Sequence, residues 1–133
     1  MRLKELINGD GAIAIQSTSP YHAKKAFISI GRTLADAGFI TDQYHANVPT
    51  FGEWGWTIGT VHGIDARTRI NNINKLPIEN TWISIEQIKT AFTFSQDFYN
   101  SAKDIRVNEL GSHILYRYHH NAWSLQNGAF LVD

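Results

Sequence analysis

The fold of this chain is decided by residues 44–60, which read YHANVPTFGEWGWTIGT. Two runs with the composition of β-strands flank a short loop. That loop contains Pro49, Phe51, Gly52, Glu53, Trp54 and Gly55. Strands joined by so short a loop pair in the antiparallel direction. Because the loop carries two large aromatic rings and one carboxylate between two glycines, it either packs into a corner of the core or forms the wall of a pocket.

The residues before this hairpin predict one more strand and one helix. Residues 12–15 form a continuous apolar run, typical of a strand buried on both faces of a parallel sheet. Apolar residues recur at helical spacing over 22–37, and Gly38 supplies the C-terminal cap. Strands then follow at 39–48 and 55–62. The first two strands are expected to be parallel, through a right-handed crossover.

This order predicts an α/β fold with a partial doubly wound sheet. The sheet is expected to be Rossmann-like, of the methyltransferase type, and to represent its C-terminal half with an antiparallel last strand and C-terminal helices. We treat the 133 residues as a single domain. Residues 1–62 form the closing half of the sheet, 63–80 a connector and 81–133 a helical extension. A capping box at Ser84–Gln87 begins one of these helices, and Val107 begins the last helical segment.

Ligands of doubly wound sheets bind beyond the carboxyl ends of the parallel strands. Those ends are Gln16-Ser17 and Pro49-Thr50-Phe51, so both loops are expected at one rim. Between Arg32 and Arg67 the chain has four acidic residues and no lysine or arginine. An acidic rim with aromatic walls suits a small cationic ligand, through ion pairing and cation–π contact. The alternative is that these acidic residues are simply solvated.

Composition excludes several other classes of function. Twelve basic and twelve acidic residues cancel, which gives no electrostatic case for nucleic-acid binding. Cysteine is absent, so disulfides and thiol catalysis are excluded. No apolar run approaches the roughly 20 residues of a membrane span, and the N-terminus does not resemble a signal peptide, so we expect a cytoplasmic protein without membrane contact. The histidines lack metal-ligand spacing, and no serine lies in a G-x-S-x-G frame.

Two stretches of the sequence resemble one enzyme family. Residues 14–21 (AIQSTSPY) and 44–56, with VPTFGEWG at 48–55, resemble the C-terminal half of spermidine synthases. The similarity is greatest to spermidine synthase-like bacterial proteins that share the loop pattern V-P-[ST]-F-G-E-W-G. Residues 91–94, 107–110 and 116–123 agree with that family in order and spacing. The resemblance covers nearly all of the chain.

The resemblance implies a polyamine aminopropyltransferase. In that family, decarboxylated S-adenosylmethionine is the co-substrate that donates an aminopropyl group to a diamine such as putrescine. The amine nitrogen attacks the carbon next to the sulfonium, and methylthioadenosine leaves. No metal and no bound cofactor are implied. Because a deprotonated amine is needed, acidic and polar groups must hold the substrate and accept its proton.

The same resemblance suggests which residues bind the amine. Gln16 matches a glutamine that contacts the amine substrate. Phe51 matches a position where many members have a tyrosine that lines the amine channel. Glu53 is a candidate ammonium partner, and Trp54 is either pocket wall or core. Ser17 and Tyr21 are neighbours of the site, and no catalytic residue is assigned to this chain.

The resemblance also implies that much of the enzyme lies outside these residues. The family's glycine-rich donor-binding loop and catalytic aspartates correspond to positions upstream of residue 1. We therefore expect the C-terminal portion of an enzyme, inactive without its N-terminal half. The alternative is a non-catalytic module that binds putrescine or spermidine, or that associates with a synthase or a second copy of itself through the edge strand at 12–16. An unrelated small enzyme is the third possibility.

Overall fold

The computed structural model describes residues 2–128, with side chains from Leu3 to Ser124. Three strands and five helices follow one another along the chain. They are α1 (Arg2–Glu5), β1 (Ala12–Gln16), α2 (Lys24–Asp36), β2 (Ile40–Val48), β3 (Gly52–Thr60), α3 (Ala66–Asn71), α4 (Ile85–Thr90) and α5 (Ile114–Gly128), with a 3-10 turn at Asn100–Ala102 before the last helix. Within residues 2–128, no helix is both long enough and apolar enough to cross a membrane.

The strands form one three-stranded sheet in the order β1-β3-β2, and β3 is antiparallel to both neighbours. The prediction of an α/β fold is therefore confirmed. Strands β1 and β2 run in the same direction, as predicted, but they are not adjacent. The tight turn after Val48 returns β3 alongside β2, where it occupies the position between β2 and β1.

The hairpin turn is shorter than predicted. Strand β3 begins at Gly52, where Val48 pairs with Gly52, so only residues 49–51 connect the strands. Thr50 and Gly52 take the left-handed backbone conformation, with φ of 78° and 76°. Glu53 and Trp54 are therefore strand residues, and consecutive strand side chains point to opposite faces of the sheet.

Helix α2 packs on one face of the sheet and forms the core there. A Cβ atom at Gly55 would lie 2.4 Å from Cε2 of Phe27, and one at Gly59 would lie 2.9 Å from Cδ2 of Leu34. These glycines let the helix approach the strands closely. On the other face, Tyr44 stacks on Trp56 with 5.5 Å between ring centroids.

The prediction that β1 is buried on both faces is wrong. Ala12, Ala14 and Gln16 are exposed, whereas Ile13 and Ile15 pack toward Leu34 in the core. The reason is that the described part of the chain places a helix on only one face of this strand. Within residues 2–128, β1 also pairs with β3 alone, so its outer edge is open.

The C-terminal helices depart from prediction at their ends. The capping box of α4 is confirmed, with reciprocal bonds between Ser84 and Gln87. Helix α3 lies inside the predicted connector, where the side chain of Asp65 caps it by accepting from the Thr68 N–H at 2.7 Å. Helix α5 begins at Ile114 rather than Val107 and ends at Gly128; residues 129–133 of the predicted helical extension lie outside the described range.

Polar residues of α2 fix the segment that precedes α5. Ser29 donates to the carbonyl oxygen of Arg106 at 2.7 Å, and the backbone N–H of Asn108 donates to Thr33 Oγ1 at 2.9 Å. The Arg32 guanidinium also donates to the carbonyl oxygen of Ile105. The hydrophobic pattern of α2 alone predicts that Ser29 and Arg32 lie on the side away from the core. Ser29 is instead fully buried, because this segment covers that side of the helix.

Candidate functional site

The carboxyl end of β1 opens into a groove of about 800 Å³, which we call the β1 groove. It is lined by the ends of the strands, by Ala26 and Ile30 of α2, and by the segment 108–119, which leads into α5. The polar and aromatic side chains that line it include Gln16, Thr18, Trp54, Glu109, His113 and Tyr116. The groove therefore joins two parts of the chain that are about ninety residues apart in the sequence.

Gln16 and Trp54 were both predicted as binding residues, and both line this groove. Gln16 pairs with Trp56, so alternation along β3 places Trp54 on the same face of the sheet as Gln16. The Trp54 indole Nε1–H is buried and has no hydrogen-bond partner among the described residues. An unpaired buried donor is costly, which makes this position a natural one for a ligand or a water molecule.

Thr18, which sequence analysis did not single out, lies at the floor of the same groove. It is only 7% exposed, and its Oγ1 has no partner within the described residues. Its φ of 59° is a left-handed conformation that is strained for a β-branched residue. Its carbonyl oxygen accepts from the Gly55 N–H at 2.7 Å, and this bond holds the turn in place.

The structure does not bring Glu53 together with Gln16. Both lie at the same end of the sheet but on opposite faces, because Glu53 shares the face of Gly55 and Thr57 whereas Gln16 shares that of Trp56. The Glu53 carboxylate lies 2.6 Å from Nδ1 of His45.

His45 is held by both ring nitrogens. Its Nε2 lies 2.7 Å from the carbonyl oxygen of Thr93, which can only accept, so Nε2 carries a proton. Through His45, the Glu53 carboxylate thus links β3 and β2 to the segment 91–94.

The aromatic candidates lie on different sides of the hairpin. Tyr21 is 51% exposed and packs edge-on against His45, with 5.8 Å between ring centroids. Phe51, at the hairpin tip, is 68% exposed and packs edge-on against Trp54 at 5.9 Å. Tyr21 therefore belongs with His45 and Glu53, and Phe51 belongs with Trp54.

Ser17 is fully buried, and its hydroxyl takes part in a chain of internal hydrogen bonds. It donates to the Ile15 carbonyl oxygen at 2.9 Å and so accepts from Thr57 Oγ1 at 2.8 Å. Gln43 Nε2 donates to Thr57 at 2.9 Å, and Tyr99 donates to Gln43 Oε1 at 3.1 Å. Burial, with a smaller effect from the Asp42 charge, raises the pKa of Tyr99 well above its ordinary value, which keeps this donor protonated.

Sequence reasoning missed the contribution of residues 108–119 to the groove. The stretch 107–110 was noticed only for its order in the chain and was given a helical structure. Its approach to Gln16 depends on bonds from α2 to residues 105–108, and no local pattern predicts such long-range contacts. Among the described residues, no group of three or more histidine and acidic side chains is placed to hold a metal ion.

Comparison with known proteins identifies the family. The family model described as the spermine/spermidine synthase domain matches residues 1–71, more than half of the chain. A polyamine aminopropyltransferase of Shewanella oneidensis is 56% identical over 127 residues, which are 96% of this chain and 22% of that protein. A protein of the same name from Leptospira interrogans is 32% identical over 92% of this chain and 23% of its own length.

The match is nearly complete for this chain and partial for its relatives. Polyamine aminopropyltransferase 2 of Ralstonia nicotianae is 30% identical over 85% of this chain and 21% of its own length. The chain thus spans about a fifth of the length of these relatives, less than the half that was expected. The predicted resemblance is confirmed: the chain belongs to the spermine/spermidine synthase family.

Proposed function

We propose that this chain is the C-terminal portion of a polyamine aminopropyltransferase and that its β1 groove holds the amine substrate. The observation that carries the proposal is 56% identity over 96% of the chain to a protein of that name. The groove adds support, because it places Gln16, the predicted amine contact, beside the ring of Trp54.

The groove offers suitable groups for an ammonium ion. The Gln16 amide oxygen can accept a hydrogen bond from it, and the Trp54 ring can lie beside the charge. Aminopropyl transfer needs the attacking nitrogen to be neutral, so one end of a diamine must lose a proton while the other end stays charged. In this proposal the chain holds the amine, while the site for decarboxylated S-adenosylmethionine and the proton acceptor come from the remaining four-fifths of the enzyme.

The same proposal gives the sheet a place in a larger fold. We infer that the three strands are one side of a Rossmann-like sheet of the methyltransferase type. Two strands in the same direction with an antiparallel strand between them support this inference, and so does the open edge of β1. Further parallel strands, from the rest of the enzyme, would continue the sheet from that edge.

A segment exchange tests the function. The matching 127 residues of the Shewanella oneidensis relative are replaced by this chain, and release of methylthioadenosine from decarboxylated S-adenosylmethionine and putrescine is measured. We expect the exchanged protein to be active, and Gln16→Met to raise KM for putrescine while leaving the melting temperature unchanged. A folded exchange protein without activity, beside an active parent, would contradict the proposal.

A non-catalytic module that associates with a synthase is the second candidate. The observation that favours it is again the β1 edge, since an unpaired strand can accept a strand from another chain. The two candidates differ in one result. The module binds a full-length synthase without restoring activity to a synthase that lacks its matching segment, whereas the C-terminal portion of an enzyme restores it.

A further inference from the structure

We propose that Glu109, and not Glu53, is the carboxylate that binds the ammonium group of the amine. This inference rests on the proposed function and names a residue beyond those that the family resemblance suggested. The two carboxylates differ in their surroundings. Glu53 is engaged by His45 on the opposite face of the sheet, whereas Glu109 lines the β1 groove together with Gln16 and Trp54.

The backbone of Glu109 is held in place by its neighbours. Its N–H donates to Ser112 Oγ at 3.1 Å, and its carbonyl oxygen accepts from the Ser112 N–H at 3.0 Å. The preceding residue, Asn108, donates to Thr33 on α2 and accepts from the Leu115 N–H at 3.2 Å. By contrast, the Glu109 carboxylate makes no ion pair or hydrogen bond with any residue whose side chain is described. A carboxylate that is free on a fixed backbone is available to a ligand.

The charge of the groove favours a cation. Glu109 is the one Asp, Glu, Lys or Arg among the described residues that line it. The other titratable groups there are His113, Tyr116 and His119. His119 Nε2 accepts from the Trp123 indole N–H at 2.9 Å. A carboxylate, an aromatic face and an amide oxygen together suit an alkylammonium group.

Two of the residues that line this groove carry a buried polar atom without a hydrogen-bond partner among the described residues. Thr18 is more than nine-tenths buried and its Oγ1 has no partner within the described residues, and the buried Trp54 Nε1 likewise has none there. Both residues line the groove together with Glu109, which contributes the negative charge. This arrangement accommodates a ligand with a cationic end and additional amine nitrogens.

The position of Glu109 in the sequence has a consequence for specificity. The family model ends at residue 71, whereas this wall of the groove is built by residues 108–119. If Glu109 binds the ammonium group, residues beyond the family domain contribute to the choice of amine. Relatives that match only the first part of the chain are expected to supply the ammonium partner from elsewhere.

Calorimetric titration of the full chain with putrescine tests the inference. We expect saturable binding that Glu109→Gln weakens by about three- to tenfold, as for a partly solvated charge pair. Glu86→Gln is the matched control, since it removes the same charge from the exposed first turn of α4 and should leave the affinity unchanged. 1,4-Butanediol, which has the same carbon chain without the charges, should not bind.

The possible results separate this inference from the proposed function. The role of Glu109 is overturned if the parent and Glu109→Gln bind putrescine equally, or if butanediol binds as well as putrescine. Neither result decides the proposed enzyme function, which the segment exchange tests separately. Absence of saturable binding at millimolar putrescine also overturns the role of Glu109. In an active exchanged enzyme, an effect of Glu109→Gln on KM no larger than that of Glu86→Gln would likewise overturn the role of Glu109 while supporting the proposed function.

Discussion

Thr57 shows how single polar residues stabilise this sheet from within. It is fully buried on β3 and stands at the middle of the hydrogen-bond chain that runs from Tyr99 through Gln43 to Ser17. Thr60, three residues later, is also buried, but its Oγ1 has no partner among the described residues. The two threonines share a strand and a degree of burial and differ in whether the hydroxyl is bonded.

This difference predicts that the same substitution has different effects on stability at the two positions. We expect Thr57→Val to lower the free energy of unfolding by about 1–3 kcal/mol, because Ser17 and Gln43 each lose a buried partner. Thr60→Val should be neutral or stabilising, because it removes a hydroxyl that has no partner to lose. Urea denaturation of both variants measures the effect. Equal losses for both would contradict the assignment of the hydrogen-bond chain.

At the level of elements, the contact between α2 and β3 depends on glycine. The Phe27 ring occupies the space above Gly55, where a Cβ would lie 2.4 Å from Cε2 and 3.0 Å from the Thr18 carbonyl oxygen. Neither the ring nor the backbone of the Thr18 turn can move far without disturbing the core or the floor of the β1 groove.

We therefore expect Gly55→Ala to destabilise the fold by about 1–3 kcal/mol through overpacking. Gly9→Ala is the control, because nothing lies within 4 Å of the position that its new methyl group would take, and its φ is not left-handed. Thermal melting followed by circular dichroism compares the two. A Gly55→Ala protein as stable as Gly9→Ala would show that the helix and strand are packed less tightly than described.

Local sequence patterns predicted the helices and strands well, but they did not predict which residues of different elements lie together. The periodicity of α2, the strands and the capping box of α4 depend on residues close in sequence, and all were found. The faces of Glu53 and Trp54 depend on whether the turn ends at Gly52 or at Gly55, which composition does not determine. The place of Glu109 depends on bonds to Ser29 and Thr33 about 75 residues away, which no local pattern predicts.

At the level of the whole molecule, the two outer strands of the sheet differ in how their edges are covered. The outer edge of β2 is bonded to the residues that follow α4, since the His45 N–H donates to the Ala91 carbonyl oxygen at 2.9 Å. In residues 2–128, β1 has no neighbour on its outer side, and Ala12 and Ala14 are exposed. An open apolar strand edge promotes pairing with another chain.

We accordingly expect the chain by itself to self-associate as its concentration rises. Ala14→Lys should reduce this association, because charge on an edge strand opposes pairing. Ala46→Lys provides the control, since Ala46 is also exposed but lies on the covered strand β2. Sedimentation velocity over a range of concentrations measures the effect. If Ala14→Lys and Ala46→Lys reduce association equally, the contact does not involve the edge of β1.

Amine binding in the β1 groove underlies both the proposed function and the role of Glu109, and the indole N–H of Trp54 reports on it directly. Its NMR signal, identified by its loss in Trp54→Phe, is followed while putrescine is added to the labelled chain. We expect this signal to shift saturably and more than those of the other tryptophans, because Trp54 lines the groove and its Nε1 has no partner among the described residues. Saturable putrescine binding that leaves the Trp54 signal unchanged would contradict amine binding in this groove.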